Sequence, residues 1–157
     1  MVRAVSRRLS AHRAAAPDRG SAVVEFLGVA LVLLVPLVYL VLTLGRIQGA
    51  TFAAEGAARE AGRVIAQADE MDDGVARARV AVELAFSDQG IAVSADDALR
   101  LTCEQDPCLT PGAEVHVEVS TAVGLPLVPE FARGVLPLEV AVSAQHLAVV
   151  PEFGPAP

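Results

Sequence analysis

The chain has 157 residues and a formal net charge of −7; 54% of its residues are hydrophobic and only 4% aromatic. That length holds one small domain plus an appendage. Abundant Ala, Val and Leu with so few aromatics suits a membrane segment and a modest core better than a large enzyme, and an acidic main body repels phosphates, which disfavours nucleic acid as a partner.

The charge is unevenly spread. Residues 1–20 carry Arg3, Arg7, Arg8, Arg13 and Arg19 against the single acid Asp18, whereas Asp and Glu dominate after Arg46. Phe26 to Leu44 then reads FLGVALVLLVPLVYLVLTL without one charge. With Ser21 to Val24 in front, this run reaches the roughly 20 apolar residues that a helix needs to cross the hydrocarbon core. A cleaved secretory signal is the alternative, but its apolar core is about 7–15 residues long and ends at a small-residue site. This run is longer, and TLGRIQGATFAAEG after it offers no good site, so an uncleaved anchor is the stronger reading. The Arg excess in front keeps the N-terminus in the cytoplasm and exports the rest. Pro36, mid-span, removes one backbone donor, which membrane helices tolerate.

The helical pattern continues past the span. Ile47, Ala50, Ala54, Ala57, Ala58, Ala61, Val64, Ile65 and Ala68 recur at spacings of three and four and form one apolar stripe of mostly small side chains. Glu55 and Arg59 can pair on the other face. One helix from Ala22 to Ala68 would be about 70 Å long. The stripe suits either packing on this chain's own core or close approach of another helix. An acidic break, DEMDDG (69–74), follows. Asp72 or Asp73 is the expected cap of a second helix with Val75, Ala78, Val82, Ala85 and Phe86 on its apolar face and a stop near Gly90.

The period then changes to two. EVHVEVS (114–120) sets Val115, Val117 and Val119 on one side and Glu114, His116, Glu118 and Ser120 on the other, a half-buried strand. LEVAVSAQ (138–145) repeats this with Leu138, Val140 and Val142 inward, and ALRLT (98–102) reads as a first strand. GLPLVPEFARGVLP between the later two is too rich in Pro and Gly to be a sheet centre, and VPEFGPAP at the end cannot continue a strand. The expected fold is α+β: a long N-terminal transmembrane helix entering a small extracytoplasmic domain with a second helix and a three-stranded antiparallel sheet. Its parts are a basic cytoplasmic leader (1–20), the membrane helix (21–45), the exported domain (46–150) and a loose tail (151–157).

Cys103 and Cys108 flank CEQDPC. Two close cysteines in an exported domain usually oxidise. Free thiols and a metal site are the alternatives, but structural zinc wants four ligands, and His116 and His146 lie on strands without ligand spacing. No constellation carries catalysis: there is no Gly-rich phosphate loop and no nucleophile elbow. His116 and Glu118 share a strand face, which a solvated surface explains better than an acid-base pair. Tyr39 sits within the apolar run, against lipid or a neighbour. No cofactor is expected.

Gly20, then Ser21-Ala22-Val23-Val24, then Glu25 and Phe26 at the head of an apolar helix, behind a short basic leader, is the arrangement of type IV prepilin cleavage sites. RGSAVVEFLGVALVLLVPLVYLVLTLGR, with AAREAGR (57–63) downstream, resembles the TadE-like family of pilus assembly proteins, pseudopilins of tight-adherence systems. The resemblance covers about residues 19–65. It implies a pilin-like fold, a minor structural subunit of a Flp-type pilus or of its assembly machine, processing by a prepilin peptidase between Gly20 and Ser21, and partners among other pilin subunits, assembly membrane proteins and the bilayer. Independently of that resemblance, an acid near lipid is costly without a partner. A new α-ammonium at Ser21, one turn away on the same chain or on a neighbour, would supply one and fix the axial register of packed helices. The other reading leaves Glu25 in the headgroup layer as a helix N-terminal acid favoured by the dipole. A membrane-tethered module that recruits a cell-envelope partner is the alternative function.

Overall fold

The computed structural model describes residues 21–126 and 139–152. The elements run α1 (Ser21–Ala66), α2 (Met71–Ser87), α3 (Ala95–Ala98), β1 (Leu99–Cys103), β2 (Glu114–Gly124) and β3 (Glu139–Val149). The three strands form one antiparallel sheet in the order β1-β2-β3. The chain falls into two units that divide between Tyr39 and Leu40.

Within the first unit the described residues are all helix, and their apolar side chains stand open: Val24, Phe26, Leu31, Val32 and Val35 are exposed. α1 is the only helix among the described residues long and apolar enough to cross a membrane. Pro36 lies inside it without ending it.

The second unit is built on the small-residue stripe. Ala50, Ala53, Ala54, Ala57, Ala58, Ala61 and Ile65 of α1 are buried, so the spacing of three and four did mark the face that meets the core. The structure adds Ala53, Gly62 and Ala66 to that face and leaves Ile47, Val64 and Ala68 half-buried. Against it pack Ala78, Val82 and Phe86 of α2 and Val115, Val117 and Val119 of β2. Burying a side chain the size of Phe86 or Ile65 contributes about 1.5–3 kcal/mol each. The alanines contribute less individually but let the other layers approach the helix backbone.

Several boundaries differ from expectation. α1 ends at Ala66 rather than Ala68, because the chain must turn before α2 begins at Met71. Asp72 and Asp73 do not cap α2. Glu70 is its cap residue, extended at φ −128°, ψ 142°, and the two aspartates lie in the first turn, where negative charge still suits the helix dipole. The stop is as expected: Gly90 follows with φ +65°, and the Gly90 and Ile91 amides bond back to Ser87 and Phe86. Ala98 closes the short helix α3 instead of opening β1.

β2 and β3 are longer than the alternation suggested. They pair from Glu114↔Val149 to Gly124↔Glu139, each extension supplying the other's hydrogen bonds. Val142 is buried and Val140 half-buried on the inner face, as expected; Leu138 lies outside the described residues. Val150, just before the tail, is held in place. Its amide donates to Ala113 O and its carbonyl accepts from Gly112 N, both at 2.9 Å, and its side chain is buried.

Candidate functional site

Gly20 lies outside the described residues. Ser21 and Glu25 sit four apart on α1, one helical turn, so their backbones stack on one side of the helix. Glu25 and the Phe26 ring next to it are exposed. A carboxylate one turn from a helix start can neutralise a cation placed at that start, from its own chain or a neighbour's, where the helix dipole is otherwise unfavourable to positive charge. Tyr39, further along, is half-buried.

Cys103 and Cys108 form a disulfide, with Cα atoms 5.2 Å apart. Cys103 ends β1 beside Val115, so the bridge holds the chain just before it enters β2. The loop is stitched to that strand twice: Glu104 N donates to Glu114 O at 3.0 Å, and Glu114 N donates to the Glu104 carboxylate at 3.1 Å. Thr110 Oγ1 donates to Pro107 O at 2.6 Å, closing the loop on itself.

The sheet keeps His116 and Glu118 on its outer face, as the alternation required. Register sets Thr102 and Leu147 beside His116 and sets Arg100 and Gln145 beside Glu118. Together these six residues line part of an open basin. Arg100 is committed elsewhere: its Nη1 donates to Asp96 O at 3.2 Å. His146 points to the opposite face, toward α1, so it does not join His116. Among the described residues no three His, Cys, Asp or Glu side chains converge as a metal site would need. Sequence reasoning found His116 and Glu118 but not their neighbours Arg100, Thr102, Gln145 and Leu147, because side-by-side placement depends on strand register, and period alone does not set register.

The helices carry exposed ion pairs. Glu55 and Arg59, read as partners from their spacing, are 3.7 Å apart. Arg63 instead holds Glu60 with two hydrogen bonds, and those bonds keep the Glu60 carboxyl below its usual range. On α2, Arg79 meets Asp96 at 3.1 Å, tying that helix to α3. Set against protein-family models, curated proteins and solved structures, the chain matches none of them.

Proposed function

We propose that this chain is a membrane-anchored, minor pseudopilin-like structural subunit of a type IV, Flp-type pilus or of the machine that assembles it. One observation carries the reading: α1 holds both the uncharged apolar run and the alanine face that forms the core of the second unit. A subunit of this kind needs one element that is extracted from lipid together with the domain it supports, and a helix shared between anchor and core supplies it. The Gly20-to-Glu25 spacing supports the same reading from the sequence side. The disulfide between Cys103 and Cys108 agrees with an exported, oxidising location for the second unit. In this reading the N-terminal leader stays in the cytoplasm, a prepilin peptidase cuts between Gly20 and Ser21, and the partners are the bilayer, other pilin subunits and assembly proteins. The role is structural rather than catalytic.

The open basin around His116 and Glu118 favours a second reading, a tethered module that recruits a cell-envelope partner without entering a filament. Mass spectrometry of the N-terminus of protein from native membranes, together with sedimentation of sheared filaments, separates the two. An N-terminus at Ser21 and co-sedimentation support the pseudopilin. A native chain that still begins at Met1 in cells with working peptidase moves the weight to the tethered module.

A further inference from the structure

α1 presents a second face in its exported half, one that its own fold leaves uncovered. Phe52 is 68% exposed there. Gly56 follows it by one turn and Gly45 precedes it by two, and a Cβ at either glycine would meet nothing within 4 Å. Glycine inside a helix weakens it relative to alanine, and neither of these two relieves a contact within the chain. Gly49, Gly62 and Gly74 differ: a Cβ at any of them would press on a neighbour. Glu55 and Arg59 lie along the same side, and positions 45, 52, 55, 56 and 59 fall within about 100° of the helix circumference.

The two ion pairs of this stretch are unequal. Arg63 is engaged locally through all three of its nitrogens. Its Nε donates to Glu60 Oε2 and its Nη1 to Gln67 Oε1, both at 2.9 Å, and its Nη2 donates to Glu60 Oε1. Glu55 and Arg59 approach only to 3.7 Å, too far for a hydrogen bond, so each keeps donors or acceptors to offer outward.

We propose that this face packs against the same face of a second copy of the chain, parallel to it and staggered by one helical turn. The inference rests on the function proposed above: copies anchored in one bilayer through α1 enter it in the same direction, so neighbouring α1 helices run parallel. A shift of four residues, about 6 Å along the axis, sets Phe52 of one copy level with Gly56 of the next, a ring over a position without a side chain. The same shift sets Glu55 level with Arg59 of the next copy. Without the shift, Phe52 meets Phe52, ring on ring. The staggered contact is heterologous: one copy offers Phe52 and Glu55, its neighbour Gly56 and Arg59.

The test uses two differently tagged full-length chains co-expressed in their native envelope, one carrying Phe52→Cys and the other Gly56→Cys. Mild oxidation is expected to link the two tags in a band that reductant removes, at a yield well above either variant expressed alone. Glu55→Arg in both chains should lower that yield by about fivefold, the scale of one ion pair, and adding Arg59→Glu should restore it. Phe52, Gly56, Glu55 and Arg59 lie outside the core, so these variants leave folding intact. Equal linking by Phe52→Cys alone overturns the stagger, and a yield indifferent to Glu55→Arg overturns the charge pairing. If the unmodified chain co-sediments with filaments yet no linked tags form, this contact is wrong and the function stands. If it is missing from filaments as well, both fall.

Discussion

Gly62 of α1 touches His146 of β3 with no side chain of its own between them: a Cβ at residue 62 would lie 2.9 Å from the imidazole Cδ2 and 3.1 Å from the Ala148 Cβ. Side chains of the strand meet the helix backbone here. Gly62→Ala gains about 1 kcal/mol of helix propensity but must push the imidazole aside, so a net change within about 1 kcal/mol is expected. Gly62→Leu cannot be accommodated and should lose about 2 kcal/mol or more. Gly62→Ala with His146→Ala should be more stable than Gly62→Ala alone. Thermal denaturation of the full chain in micelles reads all three, and a fully stable Gly62→Leu would show that the contact does not constrain the fold.

The disulfide closes a short loop, with a sequence separation of five. Chain entropy gives such a loop about 2 kcal/mol, near the low end for disulfides. Cys103→Ser with Cys108→Ser should therefore lower stability modestly while loosening residues 104–114 far more, seen as faster amide exchange at Glu104 and Glu114. Equal loss of protection across β2 and β3 would contradict this local role.

Glu60 has its carboxyl held below the usual range, chiefly by the hydrogen bond from Arg63. A lowered folded value means that the pair supports the helix above the ordinary carboxylate range, and that this support is lost as pH falls through the lowered value. Both side chains are about half exposed, so the effect on overall stability is small. Arg63→Ala should return the Glu60 titration, followed by carboxyl NMR shifts, to its ordinary position. No movement would mean that the pair does not persist in solution.

Glu25→Leu tests the head of α1. Removing a charge from the edge of the span should leave membrane insertion unchanged or improved, and processing after Gly20 can still proceed. If Glu25 pairs with a processed Ser21 amine as proposed above, co-purification with pilus partners should fall, because that carboxylate is gone. Full pilus assembly by Glu25→Leu would reduce Glu25 to an interfacial acid.

The sequence made some of this legible for simple reasons. Ala50 through Ile65 repeat at helical spacing on a face that really is buried, and Val115, Val117 and Val119 alternate on a sheet with one covered side, so period and environment agree. The ends of β2 and β3 were missed because Thr121 to Gly124 mix small and polar residues, and because Leu147 and Val149 stand exposed while the small Ala148 between them is buried, so hydropathy does not mark the covered face. α3 was missed because four residues carry no period. The close approaches at Gly62 and Gly74 were invisible for a different reason: a glycine in a helix looks like a weak helix former until the partner that comes near it, His146 or the Ile65 backbone, is known. At the candidate site, the four-residue spacing of Ser21 and Glu25 was visible in the sequence and α1 carries both residues, whereas Phe52, Gly45 and Gly56 gain meaning only once the fold shows which face of α1 is left open.

The alanine face of α1 also bears on how the fold finds one alignment and not another. Slide α1 by one turn so that each residue takes the place of the one four before it, and Ala54, Ala57, Ala58 and Ala61 drop into seats already shaped for alanine at 50, 53, 54 and 57. Most of the core cannot tell the difference. Ile65 and Ala66 can: the slip drives Ile65 into the seat of Ala61, where extra methylenes have no room, and Ala66 into the seat of Gly62, where its Cβ meets the His146 imidazole. A slip the other way brings the Arg46 guanidinium into the seat of Ala50, which is fully buried, and an unpaired charge there is prohibitive. A few residues at the ends of a repetitive surface thus act as detents for a helix that could otherwise ratchet along its own domain. A chain with Ile65 trimmed to alanine would keep its helix and nearly all its contacts, and would lean on the Gly62 seat alone to stop that slip.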